Sequence, residues 1–174
     1  MKKITNIFLL LGFLFAFSSS YDGPKDTQSV VKALYLYNFA ISIDWPKEFK
    51  NGDFVIGVYG NSKVYDELVK KYKGKPIGAQ TIKIKKFTSS SSISKCHMLF
   101  VDRDKSSEIS SLSKKLKPYS TLIVSEYSNS LNSGAIINFV VKNNKQTYDI
   151  SKRNAKQYKL VVSSKLIELA NSVE

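Results

Sequence analysis

The chain has 174 residues, enough for one domain with a sizeable core, and a formal net charge of +13 from 27 Lys and Arg against 14 Asp and Glu. A single Cys and a single His exclude an intramolecular disulfide framework and any zinc site or catalytic set built on paired histidines. The basic excess is almost entirely Lys, with only Arg103 and Arg153, which reads as a solvated surface, because nucleic-acid sites cluster Arg with exposed aromatics.

Lys2 and Lys3 precede an apolar run from Ile7 to Phe17, and the small residues Ser18, Ser19 and Ser20 follow. That is the layout of a cleavable secretory signal over residues 1–20, with Ala16 and Ser18 or Ser18 and Ser20 as recognition pairs. The run is short of the roughly 20 residues that span a bilayer. Residues 21–28 are polar and read as a flexible lead-in, and 29–174 as one folded domain.

A helix is expected from Ser29. Ala33 to Ile43 is apolar nearly all round, so this helix is either buried or shared with a partner, and Pro46 ends it. Phe54–Tyr59 reads as a buried strand after the Asn51-Gly52 turn, and Val64–Tyr72 as a helix with Asp66 and Glu67 in its early turns, where acids suit the dipole. Thr81–Phe87 alternates Ile82 and Ile84 with Lys83 and Lys85, a strand with one wet face. Cys96–Val101 is an apolar strand, followed by a helix at about 105–117 that Pro118 closes. Leu122–Ser125 is a short strand, Ala135–Val141 and Gln146–Ile150 form a hairpin across Asn143-Asn144, and a last helix is expected over Ser163–Val173. The order implies an α/β single-domain sandwich: a mixed, largely parallel sheet flanked by helices, then a C-terminal hairpin and helix.

Little in the sequence points to catalysis. Cys96 and His97 are adjacent in the expected strand, so their side chains face opposite ways and cannot act as a dyad. Cys96 reads as a small buried hydrophobe. Asp102-Arg103-Asp104 lies at a strand's carboxyl end, where open α/β sheets place ligands, but the plainer expectation is that Asp104 caps the next helix and Asp102 is solvated. Gly57-Val58-Tyr59-Gly60 lacks the third glycine of a dinucleotide fingerprint. No cofactor or metal is expected. The distinctive constellation is aromatic: Tyr35, Tyr37, Phe39, Trp45 and Pro46 sit in one segment, and Tyr and Trp suit a partner surface as well as a core.

Tyr35-Leu36-Tyr37-Asn38-Phe39-Ala40 followed by Asp44-Trp45-Pro46 resembles the opening motif of the YfiR family of small periplasmic proteins. The likeness continues in order through Gly57–Gly60, Gly74-Lys75-Pro76-Ile77, Cys96-His97-Met98-Leu99-Phe100-Val101, Thr121–Ser125, Gly134–Val140 and Leu160–Ala170, about residues 30–173. The resemblance implies a periplasmic, non-enzymatic regulator with a tendency to dimerise. Its implied partner is the periplasmic domain of an inner-membrane sensor, a diguanylate cyclase or a histidine kinase, whose output it restrains, with effects on cyclic-di-GMP and biofilm formation. Two departures matter: one Cys removes the family's disulfide-based redox behaviour, and Ser133-Gly134 replaces a Gly-Gly pair. A second reading is an envelope small-molecule-binding protein or hydrolase using the strand ends near Asn61 and Asp102, and a third is a basic polyanion binder.

Overall fold

The structure, a computed structural model, describes residues 26–174; the expected export signal and the residues up to Lys25 lie outside it. Asp26 opens the first helix, α1 (Thr27–Ser42): its carboxylate accepts from the Ser29 N–H at 3.3 Å and from Ser29 Oγ at 2.8 Å. That cap lets the helix begin two residues before Ser29, so Thr27 and Gln28 are helical instead of part of the lead-in. Ala33, Leu36, Phe39 and Ala40 bury one face of α1, and the helix ends before Pro46.

The remaining elements are β1 (Ile43–Asp44), β2 (Phe54–Tyr59), α2 (Val64–Tyr72), β3 (Pro76–Ile77), β4 (Gln80–Phe87), β5 (Met98–Val101), α3 (Ile109–Leu116) and β6 (Leu122–Ser125). They are followed by β7 (Ile137–Lys142), β8 (Lys145–Ile150), α4 (Lys152–Gln157), β9 (Val161–Val162), α5 (Ser164–Glu168) and β10 (Ser172–Val173). Eight strands form one sheet in the order β10-β8-β7-β6-β5-β2-β4-β3, and β1 pairs with β9 in a separate two-stranded piece. The pairs β4-β2, β2-β5, β5-β6, β6-β7 and β8-β10 are parallel, whereas β7-β8 and β3-β4 are antiparallel. The expected mixed, largely parallel sheet is what the chain forms.

Parallel inner strands are covered on both faces, and β5 (Met98, Leu99, Phe100, Val101) and β6 (Leu122, Ile123, Val124, Ser125) are buried at every residue. α2 connects β2 to β4 on one side and α3 connects β5 to β6 on the other; right-handed crossovers therefore set these helices on opposite faces. α1 shares the α2 side, where the Tyr37 and Tyr72 rings stack at 4.5 Å. α3 faces the α4 side, where the Tyr158 hydroxyl reaches the Ser113 and Gly134 carbonyls at 3.2 and 3.3 Å. At Gly57 a Cβ would stand 2.7 Å from the Phe87 ring, so the glycine lets β4's terminal aromatic lie flat on β2.

Three local expectations change. Cys96 and His97 precede β5 and do not belong to it. The helix after β5 is 3₁₀ over Arg103–Glu108 and becomes α only at Ile109, where Ile109, Leu112 and Leu116 form a buried stripe. The expected last helix is only α5, because the Asn171 N–H donates to the Tyr148 carbonyl at 2.8 Å and pulls the following residues into the sheet as β10. α4 and β9 have no counterpart in the sequence reading.

Candidate functional site

The five aromatic-segment residues do not share one environment. Phe39 and Trp45 are buried, and Tyr35, Tyr37 and Pro46 are half-buried. Tyr35 ties α1 to the hairpin: its hydroxyl donates to the Gln146 carbonyl at 3.2 Å, and its ring meets Phe139 and Tyr148 edge-on. Phe39 meets the Tyr148 ring edge-on at 4.9 Å. Trp45 turns inward, with its indole N–H on the Ser120 carbonyl at 3.1 Å and its ring edge-on to Phe54. Phe39 and Trp45 are thus internal pins in the single chain, while Leu34 (49% exposed) and Ile41 (52% exposed) are the apolar side chains that α1 turns outward.

Cys96 and His97 are also interior. Burial pushes the Cys96 thiol up to about 12, far from the range in which a thiolate is available at neutral pH. His97 Nδ1 accepts from the Val55 N–H at 3.1 Å, which fixes the proton on Nε2, and Nε2 donates to the Phe49 carbonyl at 2.7 Å. Burial holds this imidazole below its ordinary pKa, and with both nitrogens committed to backbone it fastens the Phe49 turn to β2.

The polar concentration lies at the carboxyl ends of β5 and β6. The chain leaves β2 at Gly60 (φ +118°), where an added Cβ would stand 2.5 Å from Asp102 Cβ, so glycine lets the β2 and β5 exits touch. This is the crevice where the order of strands reverses, between β2 and β5. Asp102, not Asp104, caps the 3₁₀ turn: its Oδ1 accepts from the Arg103 N–H at 2.9 Å. Nor is Asp102 free in solvent. It is half-buried and stands beside Glu126, at the end of β6; burial first, and then the neighbouring Glu126 carboxylate, raise its pKa, while Lys32 opposes them. Lys32, from α1, forms an ion pair with Glu126, and both side chains are largely buried.

These groups line an open cleft of about 730 Å³, bounded by α1, the β5 and β6 ends, and the part of the β7–β8 hairpin that runs past them. Asn138 forms its floor: it is only 6% exposed, and its Oδ1 has no hydrogen-bond partner. Asp149, opposite Asn138 in the hairpin register, is steadied by the Asn171 amide at 2.7 Å. The sequence reading reached Asp102 but missed Lys32, Glu126, Asn138 and Asp149. No short spacing joins them, and the available signal was positional, since Glu126 follows a strand just as Asp102 does. Among the described residues no cluster of three or more His, Cys, Asp or Glu is arranged to hold a metal ion, and no helix is long and apolar enough to cross a membrane.

No curated protein matches the sequence. Among solved structures, a conserved domain protein from Vibrio cholerae superposes with a TM-score of 0.56 at 12% identity, covering 83% of this chain and 60% of that one. An ABC domain from Streptococcus pneumoniae, solved in complex with L-Trp, gives a TM-score of 0.50 at 12% identity, covering 69% and 55%. The chain therefore spans somewhat over half the length of either, and at that identity the likeness concerns the fold alone. A family model speaks to the sequence itself: it matches residues 29–171, from the first buried turn of α1 to the residue just before β10. Over that span, nearly all that the structure describes, the chain belongs to the YfiR/HmsC-like family.

Proposed function

We propose that this protein is a non-enzymatic periplasmic regulator that docks on the exported domain of an inner-membrane signalling protein, a diguanylate cyclase or a histidine kinase, and restrains its output. Membership of the YfiR/HmsC-like family over residues 29–171 is the observation that carries this reading. A regulator of this kind acts by population shift, restraining its partner only if it binds the silent conformation better than the active one. The interior commitments of Cys96 and His97 agree with a role in binding, not in nucleophilic chemistry.

The docking surface is the outer side of α1 together with the Pro46 corner. Leu34 and Ile41 lie two turns apart on one stripe, with half-buried Tyr37 and Asn38 between them. Within that surface Tyr35, Phe39 and Trp45 act from beneath, holding helix and corner in place. An envelope pull-down with the exported protein recovers a membrane cyclase or kinase. The pair Leu34→Asp and Ile41→Asp leaves the melting temperature within a few degrees, since exposed substitutions change stability by about 0.5 kcal/mol or less, and abolishes recovery. Recovery of no membrane sensor by the unaltered protein removes the regulator reading; equal recovery by the double variant removes α1 as the contact.

A further inference from the structure

The strand-end cleft has the features of a ligand site that the docking reading does not use. We propose that it binds a small polyhydroxylated ligand, a mono- or disaccharide, between Lys32, Asp102, Glu126, Asn138 and Asp149.

Three observations carry this. First, Asn138 Oδ1 is an acceptor without a donor, on a side chain more than nine-tenths buried, in the floor of an open cleft. A buried acceptor left unpaired costs stability, so a site that keeps one gains by receiving a donor from outside. Second, the lining mixes signs. The carboxyls of Asp102, Glu126 and Asp149 and the cations of Lys32 and Arg103 all line it, together with the amide of Gln28. A site for an anion or for an ammonium ion concentrates the opposite sign, whereas a hydroxyl donates and accepts at once and suits acceptors and donors side by side. A neutral ligand also leaves the Lys32–Glu126 pair intact, which a charged one would have to break. Third, the volume of about 730 Å³ falls in the range of small-molecule clefts, and half-buried Val140 and exposed Val141 of β7 add apolar surface to the lining, suited to the C–H face of a sugar ring. The chain as a whole is strongly basic, so this near-balanced cleft is a local departure and not a sample of the surface.

The test is backbone amide NMR on the purified protein, titrated with glucose, N-acetylglucosamine and trehalose, with putrescine as the cationic control. At least one saccharide is expected to give saturable shifts at Asp102, Glu126 and Asn138. Asn138→Ala is expected to weaken binding about tenfold, the effect of one lost buried hydrogen bond. Asp102→Asn keeps an acceptor for the Arg103 N–H and so preserves the fold; it provides the second readout if the Asn138 variant does not fold, and it too is expected to weaken binding. Absence of saturable shifts with every saccharide up to about 50 mM overturns the proposal, since that is weaker than a built site provides. Saturation by putrescine alone overturns the ligand class, and saccharide shifts unchanged in both variants overturn the placement. None of these outcomes depends on whether α1 docks a membrane partner, so the two readings fail separately.

Discussion

Asp102 has two reasons to keep its proton: it is half-buried, and its neighbour Glu126 carries the same charge. A carboxyl whose folded pKa lies above its unfolded value binds more protons in the folded state. Its contribution to stability is therefore greatest in acid and declines as pH rises from the ordinary carboxylate range through the raised folded value. Asp102→Asn removes that penalty while keeping the cap acceptor on the Arg103 N–H. At a half-exposed site solvent screens the effect, so the variant is expected to gain no more than about 1 kcal/mol near pH 7. The gain disappears at about pH 3, where the native carboxyl is already protonated. Urea unfolding at the two pH values measures it; a loss of stability at pH 7 that shrinks at pH 3 would mean that Lys32 holds the carboxylate charged. A residue that lowers stability at working pH is a mark of a functional site, and here it borders the orphaned Asn138 acceptor.

The hairpin β7–β8 shows what local chemistry can specify. Asn143 and Asn144 occupy its two-residue turn with φ +50° and +57°, the left-handed pair that a type I′ turn requires. Asn tolerates that region and Gly enters it freely, so Asn144→Gly is expected to stabilise the protein by about 0.5 kcal/mol, seen as a higher urea midpoint with an unchanged slope. A destabilised variant would mean that the Asn144 side chain makes up for its backbone strain. This turn was legible from the sequence, as were β2, α2 and β6, because each is set by residues adjacent in the chain. The C-terminal segment was not. Leu166, Ile167, Leu169 and Ala170 satisfy a helical spacing, but pairing with β8, about 20 residues earlier, ends the helix and makes an edge strand of Ser172–Val173. The β1–β9 pair is two residues long on each side and joins Ile43 to Val162, so no local pattern could announce it. The candidate cleft was half legible for the same reason: Asp102 stands at a readable strand end, whereas the Lys32–Glu126 pair joins residues 94 positions apart.

Across the whole molecule the charge is one-sided, and the formal +13 falls only to +11 if the leader with Lys2 and Lys3 is removed. Five ion pairs are present among the described residues, and only Lys32–Glu126 is largely buried on both sides. Some lysines find other partners: Lys75 lies over the Tyr37 and Tyr72 rings at 5.8 and 5.1 Å, and Lys95 over Phe49 at 4.6 Å. Most of the positive charge has no anion near it, so mutual repulsion exceeds attraction. Shortening the Debye length should then stabilise the fold. Raising sodium chloride from about 10 to about 200 mM is expected to raise the melting temperature by about 2–5 °C, whereas a protein held by surface ion pairs would lose stability. Scanning fluorimetry with chloride and with sulfate at matched ionic strength separates this screening from the general surface exclusion of sulfate, which adds stability of its own. A melting temperature that falls with sodium chloride would mean that the Lys32–Glu126 pair and its exposed counterparts outweigh the net repulsion. The lysine excess would then contribute chiefly to solubility and to weak, salt-sensitive attraction of polyanions.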